Sequence, residues 1–237
     1  PGPRHPRPGH PDRRRRLRGP LALAGLSIAV AAWRLAPAPQ PLAAAPAFVA
    51  VASPTRAMLT AVWGSGPTQV WAVGRGGTVL RYDGARWSAQ EVPTRADLHG
   101  VWGQGDAVWI VGERGTVLWG GRGGFRALDS GVGERLDAVT GGGGAVWAVG
   151  QGGVVLRGDG ARFQRQVSGT TLHLRGAYAR SAEDVWIVGG AEDRGVVLRY
   201  SRAGLHRSEV GVRLRGVFAA APGRESRSGS AVIDRES

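Results

Sequence analysis

The sequence predicts an all-β fold built from repeated sheets, and three observations support this prediction. First, four units of about 39 residues begin at leucines, and a partial unit follows, so the spacings are 39, 38, 38 and 40 residues; the leucines are Leu59, Leu98, Leu136, Leu174 and Leu214. Second, each unit contains short runs of valine, isoleucine, leucine and tryptophan bounded by glycine, which are strand signals. Third, no segment after residue 34 has an apolar period near 3.6 residues, which argues against helices. A period of this length is typical of repeat architectures.

Each unit divides into four strands. The first has the pattern Leu-x-x-Val or Leu-x-x-Ala, and a loop of glycine and polar residues leads from it to VWAVG or VWIVG. This second run is apolar on both faces, as expected of a strand that lies between two layers. A tight glycine turn precedes TVLRY or VVLR, and an Asp-Gly turn, as at Asp83-Gly84 and Asp159-Gly160, precedes the last strand. The pattern predicts a β-propeller of four-stranded antiparallel blades with four complete repeats, and leaves open whether they belong to a larger ring.

Two residue types recur at fixed places in the second strand of every unit. The tryptophans are expected to fill the space between neighbouring blades, and they are Trp71, Trp109, Trp147 and Trp186. The glycines are expected to permit positive φ and close chain approach in the following turn, and they are Gly74, Gly112, Gly150 and Gly189. We assign these eight residues to the structural core of the repeat.

The segments outside the repeats differ in composition from the repeats. Residues 1–19 are basic and are expected to be disordered, and residues 20–34 form an apolar segment that resembles a signal peptide or an anchor. Residues 35–46 form a linker rich in proline and alanine, the repeats occupy 47–220, and residues 221–237 are expected to be a disordered tail. Arginines before the apolar segment predict export, to the periplasm, the extracellular space or an outward-facing membrane anchor, with cleavage and anchoring both open.

The composition excludes several kinds of site. The chain has no cysteine, so it has neither disulfides nor thiolate metal sites. Its net charge is +13, but residues 1–18 hold seven arginines and one acid, so about +7 remains on the rest. That is a modest charge for a nucleic-acid binder, and we expect no nucleic-acid partner.

The run VWAVG…GTVL…DGARW resembles the propeller repeats of photosystem II stability/assembly factor-like proteins and the related BNR (Asp-box) repeats. Residues 71–74 and 77–80 match two elements of that repeat, and Asp83-Gly84 with Trp87 matches the last. The resemblance covers residues 59–220 and implies the propeller fold. It leaves the function open, because such propellers include assembly factors, binding modules and glycosidases.

The sequence shows no constellation of catalytic or metal-binding residues. His99, His173 and His206 each stand alone, without a second ligand at a metal-like spacing, and are expected to be exposed residues at strand ends. The chain has neither a Gly-x-Ser-x-Gly elbow nor a lysine for a phosphate loop. We therefore expect no catalytic residue, no metal, no cofactor and no enzymatic activity.

One set of aromatic residues is a candidate ligand face. These residues end the first strands, Thr140 interrupts the series, and they are Trp63, Trp102, Tyr178 and Phe218. Their rings either pack against adjacent blades or line a face for a glycan or a peptide. The sequence favours a non-enzymatic exported propeller that acts as a protein-interaction or assembly scaffold at the cell envelope. A carbohydrate-binding, lectin-like propeller is the alternative, and a sialidase-like glycosidase is the third interpretation. The partner would be a protein or a glycan, with membrane contact only through an N-terminal anchor.

Overall fold

The computed structural model describes residues 51–219 and 231–235, all of which belong to a compact unit spanning residues 50–237. The predicted basic segment, apolar segment and linker lie outside the described residues. The described chain consists of 18 β-strands and three short 3-10 turns. Within this part of the chain, no helix has the length and apolarity needed to cross a membrane.

Sixteen strands form four antiparallel meanders, and each meander is one repeat unit, which we call a blade. Blade 1 contains β1 (Leu59–Gly66), β2 (Gln69–Gly74), β3 (Val79–Tyr82) and β4 (Trp87–Ala89). Blade 2 contains β5 (Leu98–Gln104), β6 (Ala107–Gly112), β7 (Val117–Gly121) and β8 (Gly124–Leu128). Blade 3 contains β9 (Leu136–Gly142), β10 (Ala145–Gly150), β11 (Val155–Gly158) and β12 (Phe163–Arg165). Blade 4 contains β13 (Leu174–Ser181), β14 (Asp184–Ala191), β15 (Arg194–Ser201) and β16 (Gly204–Val210). The four complete four-stranded units predicted from the sequence are thereby confirmed.

A fifth, two-stranded sheet follows blade 4. It consists of β17 (Leu214–Ala219) and β18 (Ala231–Arg235), which pair in antiparallel register with Val217 opposite Ile233. Residues 231–235, which belong to the segment expected to be a disordered tail, form β18. An edge strand such as β17 presents backbone N–H and C=O groups with which another extended segment can form hydrogen bonds. The pairing of β17 with β18 is not part of the repeat pattern. The described sheets do not close into a ring.

Apolar side chains between neighbouring blades form the core. Between blades 1 and 2, Trp71 and Val73 pack with Leu98 and Ile110, and the same arrangement recurs at the next two interfaces. Trp71, Trp109 and Trp147 are 0%, 8% and 3% exposed, while Trp186 is partly buried beside the fifth sheet. Burying one such ring removes about 150–250 Å² from water, which stabilises the fold by about 4–6 kcal/mol.

The glycines that end the second strands are required for close approach and not for positive φ. A Cβ on Gly74 would lie 2.2 Å from the carbonyl oxygen of Met58, and one on Gly112 would lie 2.3 Å from that of Asp97. Gly74 and Gly112 are extended, with φ of −169° and −166°, so the expected positive φ is wrong there. The positive φ falls two residues later, as at Gly76 with φ of 64°.

The Asp-Gly turns adopt a self-capped geometry. Oδ1 of Asp83 accepts the backbone N–H groups of Ala85 and Arg86, both at 2.9 Å. The same two bonds hold the turn at Asp159. These backbone donors lower the pKa of both carboxyl groups, because they stabilise the ionised form.

The inner strands β1, β5, β9, β13 and β17 lie side by side, and each has a β-bulge directly after its first leucine. The bulged residues, which we call the bulge row, are Thr60, His99, Asp137, Arg175 and Arg215. The next residue of each strand is glycine or alanine. A Cβ on Gly100 would lie 2.9 Å from the carbonyl oxygen of Asp137 in the next blade, so small residues let the inner strands converge.

Candidate functional site

The bulge row places five variable side chains at the end where the inner strands begin. β-Bulges redirect side chains and are common beside functional sites. Thr60 contacts the next blade, because its hydroxyl donates a hydrogen bond to the carbonyl oxygen of Leu98 at 2.5 Å. The remaining four positions carry a histidine, an aspartate and two arginines. This end of the sheets therefore carries several ionisable side chains.

A chain of charged groups crosses blades 2, 3 and 4 at this end. Arg135 donates to Oδ1 of Asp137 at 2.9 Å, and Nε2 of His173 lies 2.6 Å from Oδ2 of the same carboxylate. On the other side, Nη1 of Arg135 lies 3.8 Å from Oε1 of Glu113, which in turn lies 3.0 Å from Nε2 of His99. The chain links three neighbouring blades by polar contacts as well as by apolar packing.

The expectation that His99 and His173 are exposed is wrong. Their side chains are only 19% and 18% exposed, because His99 lies against Glu113 of its own blade and His173 lies against Asp137 of blade 3. His206 is exposed on β16, as expected. Across residues 51–219 and 231–235, no cluster of three or more histidine, cysteine, aspartate or glutamate side chains could hold a metal ion.

Positive charge accumulates around Arg175, the bulged residue of β13. Burial lowers the pKa of Arg175, and the charges of Arg213, Arg215 and Arg135 lower it further, against the opposing effect of Asp137. Its Nε is buried without a hydrogen-bond partner within the described structure. A bound carboxylate would supply that acceptor and offset the crowded positive charge, because guanidinium groups bind carboxylates in planar, two-pronged pairs. We call the cluster of Arg175, Arg135, Arg213 and Arg215 the arginine end.

Two rings of the candidate aromatic face pack against the next blade. A Cβ added to Gly103 would lie 2.6 Å from ring atoms of Trp63. A Cβ added to Gly141 would lie 2.5 Å from the ring of Trp102. The ring of Trp102 also lies 5.4 Å from that of Trp109. Both tryptophans therefore contribute to the contacts between blades.

The remaining positions of that series differ among themselves. Thr140 bridges to the next blade through its hydroxyl, which accepts the backbone N–H of Ala179 at 3.2 Å. Tyr178 is partly buried on β13, and Phe218 lies in β17 with its side chain outside the described structure. Ligand binding by the aromatic face stays a prediction.

Sequence reasoning missed the bulge row and the arginine end. Aligning the repeat units would have revealed the signal, because a polar or charged residue follows the first leucine in every unit. A second variable position precedes each leucine, and its residues in successive units are Met58, Asp97, Arg135, His173 and Arg213. Neither position interrupts the apolar pattern, so neither was identified as functional.

Solved propeller structures resemble this chain in fold. No protein-family model matches the chain, and no curated protein matches it. A solved structure described as YCF48 bound to D1 peptide is 17% identical with a TM-score of 0.55, and the alignment covers 69% of this chain and 58% of that one. YCF48 from Cyanidioschyzon merolae is 14% identical with a TM-score of 0.51, covering 71% and 63% respectively. The chain thus spans about three fifths of the solved structures it matches. At this identity the likeness establishes the fold and confirms the expected resemblance to photosystem II assembly factor propellers in that respect.

Proposed function

We propose that this chain is a non-enzymatic, protein-binding propeller that holds an acidic segment of its partner at the arginine end. The observation that carries the proposal is the crowding of Arg135, Arg213 and Arg215 around Arg175, whose buried Nε has no acceptor. Burying a guanidinium N–H without an acceptor is costly, and an acidic ligand that supplied the acceptor would remove much of that cost.

The comparisons favour a peptide over other anions. In one of the matched structures YCF48 is bound to a D1 peptide, so a propeller of this fold takes a protein segment as its ligand. We carry over from it only the class of ligand. The sequence identity of 17% gives no basis for carrying over the partner itself.

The test uses the full chain and a fluorescently labelled ten-residue peptide of alternating glutamate and glycine. Binding is measured by anisotropy at low and at high salt. We expect the Arg175→Gln variant to bind about tenfold or more weakly, since a hydrogen bond to a charged group contributes about 1.5–3 kcal/mol. Arg122→Gln is the matched control, because Arg122 is exposed in the turn between β7 and β8. Equal affinity for the two variants, or no binding by the parent chain, would refute the proposal.

The glycan alternative is separated by a second arm of the same test. The chain is applied to an array of neutral and acidic glycans, together with the Trp63→Ala/Trp102→Ala variant. Glycan binding that the double variant loses, combined with no peptide binding, would favour a lectin. Hydrolysis of chromogenic glycosides would contradict the absence of enzymatic activity.

We also propose that the chain is exported and acts as an assembly scaffold at the cell envelope. The support is the basic stretch at residues 13–18, followed by the apolar run at 21–33. Fusing residues 1–46 to a reporter enzyme that is active only outside the cytoplasm tests this. An inactive reporter with the native segment, or equal activity after aspartates replace two apolar residues, would contradict export.

A further inference from the structure

We propose that the cleft between blades 3 and 4 binds a carboxylate group of a protein segment, with Arg157 as the residue that pairs with it. The proposal rests on the proposed protein-binding function, but it concerns a second site. The cleft lies beside the turn at Gly143 and Gly144, where the inner strand β9 ends, whereas Arg175 lies where the inner strand β13 begins.

The cleft consists of two adjoining depressions of about 510 and 340 Å³, which share Arg157, Gln166 and Ala182. These volumes lie at the lower end of the range of about 300–1,000 Å³ that is usual for ligand sites. Ala145 lines the larger depression beside Arg157, and Trp147 lines the smaller one. The walls therefore combine a cation, an amide and an aromatic ring.

Blade 4 shows what Arg157 lacks. Its equivalent there, Arg199, stacks 5.0 Å above the ring of Trp186, and its Nε donates to Oδ1 of Asp184 at 2.9 Å. In blade 3, Arg157 stacks in the same way, 5.5 Å above the ring of Trp147. The strand register, however, places Ala145 of blade 3 where blade 4 has Asp184. Blade 3 thus has the arginine on its tryptophan, as blade 4 does, without the carboxylate.

The acids that line the cleft are already engaged. Asp159 accepts the backbone N–H groups of its own turn, and Glu183 pairs with Arg202. Among the residues that the structure describes, Arg157 has no ion pair, and its side chain is exposed. The alanine at position 145 leaves open the space that an aspartate would occupy, so the depression has room beside Arg157 for a carboxylate from outside the chain.

The indole of Trp147 lies beneath Arg157 and lines the smaller depression. Nε1 of Trp147 is buried without a hydrogen-bond partner in the described structure. At the preceding interface, the equivalent Nε1 of Trp109 donates to the carbonyl oxygen of Gly160 at 2.8 Å. Nε1 of Trp71 and of Trp186 is likewise buried without a partner among the described residues, so this feature does not distinguish blade 3. The indole of Trp147 therefore serves as a reporter of binding beside Arg157. The proposed protein-binding function favours a protein segment as the source of the carboxylate.

The experiment follows the indole N–H of Trp147 in the ¹⁵N-labelled full chain by NMR, with Trp147→Phe used to assign the signal. Three short probes are titrated: a peptide amide with two glutamates, a glycine peptide with a free C-terminal carboxylate, and a peptide amide with two glutamines. We expect one or both carboxylate probes to shift the Trp147 signal, and the glutamine probe to leave it unchanged. The probe that acts identifies whether side-chain or terminal carboxylate is bound.

Variants of the cleft separate this site from the arginine end. Arg157→Gln should weaken the response at Trp147 by about tenfold or more, because it removes a charge-assisted hydrogen bond. Arg199→Gln and Arg175→Gln should leave that response unchanged. If Arg175→Gln abolishes binding of the longer acidic peptide while no probe shifts Trp147, the protein-binding function stands and the cleft site is refuted.

Filling the cleft from within gives an independent test. Ala145→Asp supplies the carboxylate that blade 4 has at this position, so it should pair with Arg157 and abolish the probe response. Ala145→Asn, of nearly the same shape without the charge, should keep a measurable part of it. A full response in folded Ala145→Asp would overturn the proposal, and Arg157→Gln decides the matter alone if that variant does not fold.

Discussion

Replacing Gly141 by alanine tests whether Trp102 is held between blades 2 and 3. The new Cβ would lie 2.5 and 2.6 Å from two ring carbons of Trp102 and 2.7 Å from the carbonyl oxygen of Ala145. Ordinary contacts begin near 3.4 Å, so the atoms must separate by roughly 1 Å. The carbonyl is fixed by the pairing of β9 with β10, and the indole must therefore move. Overpacking of this kind costs about 1–3 kcal/mol, which we expect as a loss in the free energy of unfolding by urea.

A control and a rescue make the result specific. Gly66→Ala adds the same group on β1, where nothing lies within 4 Å, and it should change the stability by less than about 0.5 kcal/mol. Trp102→Phe shortens the ring, so the double variant Gly141→Ala/Trp102→Phe should lose less than the sum of the single variants. If Gly141→Ala is as mild as Gly66→Ala, Trp102 is not wedged against blade 3, and the aromatic face regains its ligand interpretation.

Three further predictions concern other parts of the repeat. Trp109→Phe loses the hydrogen bond to Gly160, whereas Trp147→Phe loses no such bond, so the first should be more destabilising by about 1 kcal/mol; equal urea midpoints would contradict this. Burial raises the pKa of Tyr200 from 10.0 to about 12, so its stabilising effect is complete below pH 10 and is lost as the pH rises towards 12. Because Tyr200 is partly exposed, we expect this loss to be about 1–2 kcal/mol in thermal melts, and Tyr200→Phe should not show it. Arg114 has a φ of 53° at the position where the matching turns of blades 1 and 3 have Gly76 and Gly152. Arg114→Gly should therefore stabilise the fold by up to about 1 kcal/mol, and a lower melting temperature would contradict this prediction.

The repeat pattern was sufficient to predict the blades because its information is local. Each strand is encoded by a few consecutive residues, and each turn by a glycine or an Asp-Gly pair. The tryptophans of the second strands lie between blades, since a strand that is apolar on both faces has to be covered on both. The role of the glycines was predicted only in part: close approach was correct at Gly74, but its φ depends on a turn geometry that the sequence does not specify.

The sequence by itself therefore determined the number, order and composition of the strands in the four blades, and which side chains are apolar enough to fill the spaces between blades. Only the tertiary structure decided which charged groups meet. Asp137 and His173 are 36 residues apart, and Nε2 of His173 lies 2.6 Å from Oδ2 of Asp137 because two blades converge there. The same packing gathers arginines around Arg175 and leaves Arg157 without the carboxylate that its counterpart in blade 4 has. Such contacts depend on the angle and register between whole sheets, which are set by the packing of many residues together and are not encoded at any one position.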